Sequence, residues 1–214
     1  MTTQTVRMAR TGNLFWLWWT LAGVLGFVGG MMIKTLIEIG AAIGGFTATL
    51  EAIPPALFGT LLGAMLGIST GVAQWLVLRR RLSGVVAWVP ATLATLMLFW
   101  TGHNARVFGF VHTPWGLVGQ GFGHGAIIGG MLGLTQWWVL RSHLPDALRW
   151  APISLVNWSV AGAIMHCLLD VLFASANIHG PFDTLIANTL AALFSGFGLQ
   201  HLLAQATDAM AHRG

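Results

Sequence analysis

Apolar residues run through this chain in long, nearly unbroken blocks, and polar residues are confined to short intervals between them. A helix crossing a bilayer needs about 20 mostly apolar residues. Six blocks meet that demand, at approximately Leu14–Met32, Ala56–Leu78, Val86–Thr101, Leu117–Leu140, Ala151–Phe173 and Leu185–Leu203. No interval between them is long enough to fold as a separate domain. The pattern predicts an all-α polytopic membrane protein with six transmembrane helices, a single transmembrane domain over residues 1–214.

A repeat lies inside the pattern. "GVAQWLVLRR" (71–80) returns as "GLTQWWVLRS" (133–142), and an offset of 62 brings further identities into register. Gly63/Gly125, Gly67/Gly129, Gln74/Gln136, Leu82/Leu144, Trp88/Trp150 and Pro90/Pro152 all coincide. A fainter third copy places Gln200 of "GFGLQHLL" near the same register, and "WTLAG" (19–23) resembles "WSVAG" (158–162). The simplest parse is three helix hairpins over approximately 13–82, 83–144 and 145–206, joining spans one and two, three and four, and five and six. Each unit crosses twice, so the copies enter the membrane the same way up. A bundle with pseudo-three-fold symmetry about the membrane normal is expected.

The repeated residues have a physical role. At 100° per residue Gly63, Gly67 and Gln74 fall within about 20° of one line, and Gly125, Gly129 and Gln136 repeat that stripe. Gly-x-x-x-Gly lets helix backbones approach closely where lipid supplies no hydrophobic drive, and a glutamine beside it can hydrogen-bond across the contact. The alternative is that Gln74, Gln136 and Gln200 converge on an axis and line a polar constriction. Trp88-x-Pro90 and Trp150-x-Pro152 read as devices for starting a helix at the interface, with proline in the first turn.

Composition sharpens the membrane reading. Of 214 residues 56% are hydrophobic and 7% charged, against roughly a quarter charged in a soluble domain. Net charge is +4. Eight of the ten Lys and Arg residues fall on one side, Lys34 and Arg106 excepted, when the N-terminus is cytoplasmic. That is the positive-inside distribution of an inserted bundle and not the basic face of a nucleic-acid binder. It puts both termini in the cytoplasm, in a membrane of the bacterial inner-membrane type. Arg7 and Arg10 precede a long first span with no small-residue cleavage site, so that span reads as uncleaved. The interval 37–55 reads as a short outer helix or re-entrant piece, with Lys34 and Glu38 paired just beyond the first span.

Ionisable residues at membrane depth are the default functional candidates. His103, His124 and His166 lie 15, 17 and 16 residues from Trp88, Arg141 and Trp150, hence about 22–26 Å toward the opposite face. Asp170 lies one turn beyond His166. Three histidines and a carboxylate at one level could hold a metal, a haem or a pigment through neutral imidazole nitrogen. They could equally serve as interface polarity, since His124 lies about 120° around its helix from Gln136. The single cysteine, Cys167, forms no internal disulfide. No nucleotide-binding loop, nucleophile elbow or mid-span carboxylate pair is present, so enzymatic chemistry has little support.

The expected function is a non-catalytic integral membrane subunit. It would pack against lipid and other membrane proteins, or bind a lipophilic ligand such as a lipid, quinone or pigment. A small-solute channel or transporter is the rival, and a metal- or haem-dependent membrane enzyme the third reading.

Overall fold

The computed structural model describes residues 14–107, 116–173 and 181–211. Among them the chain is entirely helical: α1 (Phe15–Ile43), α2 (Thr47–Glu51), α3 (Pro55–Leu78), α4 (Trp88–Asn104), α5 (Gly116–Leu140), α6 (Trp150–Phe173) and α7 (Pro181–Ala211). Single 3-10 turns, Val85–Ala87 and Ala147–Arg149, lead into α4 and α6. Pro90 and Pro152 then fall in the first turns of those helices, where a missing N–H costs nothing.

Five helices are long and apolar enough to cross a membrane. The sixth expected span, α5, has comparable length but carries Gln120, His124 and Gln136, and it is not among the five. α1 continues eleven residues past the expected end at Met32, because nothing in the sequence breaks the helix before Gly44 and Gly45. Gly45 has φ +74°, a left-handed conformation that glycine adopts without penalty. The Lys34–Glu38 pair, 2.6 Å apart, therefore lies within α1. The short outer helix expected in the interval 37–55 is α2.

Each of the six long helices packs against two others, in the cyclic order α1, α3, α4, α5, α6, α7 and back to α1. The closest approaches are α3 with α4 and α5 with α6, and glycine is the reason. A Cβ on Gly63 would strike the Leu96 carbonyl, and one on Gly67 would lie 2.7 Å from Leu93 Cα. On α5, Gly125 faces the Trp158 carbonyl, and a Cβ on Gly129 would come within 2.7 Å of the Ser154 carbonyl. Glycine seams therefore join helices two to three and four to five of the expected spans, and a further one joins helix one to helix two, where a Cβ on Gly26 would lie 2.5 Å from Thr70 Cα and one on Gly30 2.9 Å from Leu66 Cα. Helix one also packs on helix two, as the hairpin parse expects, but it meets the last helix as well. There Asn188 Nδ2 donates to the Gly23 carbonyl at 3.1 Å.

Large side chains point away from the ring as well as into it: Trp18, Leu25, Leu36, Leu98, Leu134 and Trp138 are all exposed. For water this surface would be untenable, but for lipid it is suitable.

Gly125→Ala should lower thermal stability in detergent by about 1–3 kcal/mol, the usual cost of overpacking a rigid contact. Gly123, two residues earlier, has open space where a Cβ would go. Gly123→Ala should be neutral or stabilising by up to about 1 kcal/mol through helix propensity. Equal effects of the two substitutions in a thermal melt would contradict the seam.

Candidate functional site: a chamber inside the helix ring

The ring surrounds a cavity of about 530 Å³. All six long helices line it: Phe27 from α1, Leu66 from α3, Leu96 from α4, Ile128 from α5, Trp158 from α6 and Ala187 from α7. Its size lies within the range of small-molecule sites, roughly 300–1,000 Å³. No Asp, Glu, Lys or Arg is among the lining residues described.

A cluster of three tryptophans closes the cavity at the end bearing Arg79 and Arg141, with Trp19 and Trp150 in its lining and Trp88 packed against both. Trp19, Trp88 and Trp150 are at most 1% exposed and form a triangle, with ring centroids 5.4, 6.3 and 6.5 Å apart. Edge-on and tilted packing sets the positive rim of one indole against the negative face of another. Each indole N–H is satisfied by the neighbouring helix. Trp88 Nε1 donates to Gln74 Oε1 at 3.2 Å, and Trp150 Nε1 donates to Gln136 Oε1 at 3.1 Å. Trp19 Nε1 donates to Ser195 Oγ at 3.1 Å. Gln136 Nε2 in turn donates to Thr92 Oγ1 at 3.2 Å. Beyond the triangle, Leu78, Leu82, Val85, Leu140, Leu144 and Leu199 form a continuous buried cluster that backs it.

This corrects the sequence reading of Trp88 and Trp150. They are buried members of the floor, not interface residues. Trp75 and Trp137, by contrast, are only partly buried, with Arg79 and Arg141 over their rings at 4.9 and 5.9 Å. The third tryptophan, Trp19, was not recognised, because "WTLAG" aligns it with Trp158 and Trp158 lines the chamber wall instead.

The glutamines divide accordingly. Gln74 and Gln136 line the chamber and clamp the floor, so the helix-clamp and axis-facing ideas describe two sides of one residue. Gln200 is elsewhere: its Oε1 accepts the backbone N–H of Trp16 at 3.1 Å, satisfying one of the open donors at the start of α1. The third position of the floor belongs to Ser195.

At the far end the histidines do converge. His103, His124 and His166 all line the chamber, with ring centroids 5.3 Å apart for the first two and 6.3 Å for the last two. The inward face of α5 is broad enough to include both His124 and Gln136, despite their angular separation. Gly121 and Gly162 bring α5 and α6 backbone to backbone beside His166. His124 Nδ1 bonds to the Gln120 carbonyl at 3.0 Å, and His166 Nδ1 bonds to the Gly162 carbonyl at 3.1 Å. Asp170 has its side chain outside the described residues. Among the described residues no three His, Cys, Asp or Glu side chains are grouped to hold a metal ion.

Comparison with protein-family models, curated proteins and solved structures finds no match.

Gln136→Leu leaves a buried indole N–H without its acceptor, a loss of about 1–3 kcal/mol. It should lower the melting temperature more than Gln200→Leu, which removes one bond at a partly buried helix start. The reverse order in thermal unfolding would argue against the tryptophan floor as the structural keystone.

Proposed function

We propose that this chain is a non-catalytic integral membrane protein whose helix ring holds one lipophilic molecule. The observation that carries the reading is the 530 Å³ chamber, apolar along its walls and closed at one end by the buried tryptophan triangle. Water is a poor occupant of such a space. An internal water needs two to four polar partners, and most of the lining is apolar, Leu66, Leu96, Ile128 and Leu132 among it, while the Asn188 amide already donates to the Gly23 carbonyl.

The same floor argues against a small-solute channel. A path along the axis would have to pass three indoles and the leucine cluster behind them, and the Gln74 and Gln136 carbonyl oxygens that would line it already accept indole N–H bonds. Charged side chains, which commonly couple transport to ions, are missing from the described lining.

Architecture and placement belong to the same proposal. We read six spans, α5 included, as three like-oriented pairs: α3 with α4, α5 with α6, and α7 with α1. Support comes from the recurring glycine seam, and from an indole bonded by the preceding member of each pair. The third pair is then split between the two ends of the chain, which accounts for its faint sequence signal. The arginine end faces the cytoplasm by the positive-inside bias, in a bacterial inner membrane, with the outward apolar belt against lipid or other membrane proteins.

Mass spectrometry of protein extracted gently from native membranes tests the reading. The wild type should carry a stoichiometric apolar molecule, and Leu132→Trp, which fills the chamber, should lose it while remaining helical and monodisperse. A native preparation with nothing bound would contradict the proposal.

A further inference from the structure

We infer that the arginine end of α3 is a head-group site for an anionic phospholipid, with Arg79 and Arg80 on the phosphate and an acyl chain lying along the outer face of the helix. The inference rests on the lipid-facing placement of that face proposed above, and it is independent of what the chamber holds.

The apolar half of the site is a stripe. Ile68, Val72 and Leu76 are all exposed, while other sides of α3 are taken by α1 and α4. They recur every four residues, so they follow one side of the helix at intervals of about 6 Å. The backbone stays helical into Arg79, with φ −60° and ψ −17°. Arg79 therefore ends the stripe, within about 60° of each of its residues around the helix axis.

The polar half is held in place. The Arg79 guanidinium lies over the Trp75 ring, 4.9 Å from its centroid, and Trp75 packs against the buried cluster behind the tryptophan floor. A guanidinium stacked by one face keeps its N–H donors in the plane, directed past the ring. That fork of donors matches two oxygens of a phosphate. Arg80 follows and is exposed, whereas Arg81 lies over Phe15 of α1 at 5.6 Å. Among the described residues neither Arg79 nor Arg80 is in an ion pair, and the Lys34–Glu38 pair belongs to the opposite end of α1. Two adjacent cations at a lipid surface attract anionic head groups. A zwitterionic head brings its own cation beside the phosphate and gains less.

The duplicated segment supplies an internal comparison. On α5, 62 residues later, Leu134 and Trp138 are exposed ahead of Arg141, whose guanidinium lies over Trp137 and Trp138. The shape returns but the charge does not. "RRRLSGVVA" (79–87) has three arginines and no acid, whereas "RSHLPDALR" (141–149) sets Asp146 between two arginines. Arg149 also donates to Gln205 at 3.2 Å. Both ends suit an acyl chain, and selection for a negative head belongs to α3.

The test titrates the purified chain in detergent with equal amounts of dioleoyl phosphatidylglycerol and dioleoyl phosphatidylcholine, and counts bound lipids by native mass spectrometry. The first lipid bound should be phosphatidylglycerol by about fivefold or more, the worth of one arginine at a lipid surface. Arg79→Gln with Arg80→Gln should bring the two lipids to within about twofold of each other. Phosphatidylcholine adducts at the wild-type level would show that this variant is folded. Arg141→Gln with Arg149→Gln removes the same charge and should keep most of the preference. Leu132→Trp, which fills the chamber, should keep it too. Equal adducts in the wild type, a preference that survives Arg79→Gln with Arg80→Gln, or an equal loss from the two arginine pairs would overturn the site with the lipid-facing surface intact. Loss of the preference in Leu132→Trp would move the lipid into the chamber and overturn it as well. Adducts of neither lipid would overturn the lipid-facing placement and this inference together.

Discussion

Close backbone contact at glycine is the constraint on which the rest of this molecule depends. In lipid, burying apolar side chains between helices gains little over leaving them in hydrocarbon, so helices associate through dispersion contacts and interhelical hydrogen bonds. Gly63 and Gly67 on α3, and Gly125 and Gly129 on α5, bring each of those helices against its successor so closely that a methyl group would meet backbone. Tight pairs of this kind behave as wide, rigid staves. Arranged in a ring they leave a centre that side chains alone must fill.

How that centre is filled differs along its length. At the arginine end three indoles are large enough to meet across it, and their N–H groups are answered by Gln74, Gln136 and Ser195 on neighbouring helices. A buried donor without a partner would cost more than the bond returns, so the polar residues at the floor are a requirement of using tryptophan there. Higher up the lining includes Phe27, Leu66, Leu96, Ile128, Leu132 and Trp158, which leave the centre open, and the chamber remains. At its other end the three histidines stand on α4, α5 and α6. One architecture thus produces a plugged end, an apolar middle and a polar rim.

Much of this was legible in the sequence, and the residues show why. Helix positions followed from hydropathy because a spanning helix must be apolar over its whole length, so the ends of α3 and α6 fall within a residue or so of the expectation; those of α5 do as well, although it is not among the five helices apolar enough to cross. The identities at an offset of 62 were visible because α3–α4 and α5–α6 carry the same Gly, Gln and Trp residues in register. The hairpin parse drawn from them joined other neighbours, and the pairing proposed above sets α7 with α1, from opposite ends of the chain. There Ser195 stands where a glutamine was sought, and Gln200 accepts the Trp16 backbone N–H. The histidines could be placed at one depth by counting residues. Their convergence depended on helix rotation, which periodicity fixes poorly when apolar residues cover every face. The tryptophan floor was missed for a related reason: beside arginines, Trp88 and Trp150 have the look of interface residues, and only the packing tells a buried indole from an anchoring one.

Contact between the first and last helices is what makes the arrangement a ring, and it can be tested directly. Trp16 and Phe197 stack on the outer surface with centroids 4.7 Å apart. In a Cys167→Ser background, Trp16→Cys with Phe197→Cys and a short bifunctional thiol reagent should give a link within single molecules, seen as an intact monomer after a cut between the helices. Links only between molecules, or none, would leave α1 and α7 apart, and a ring open at that seam encloses no chamber.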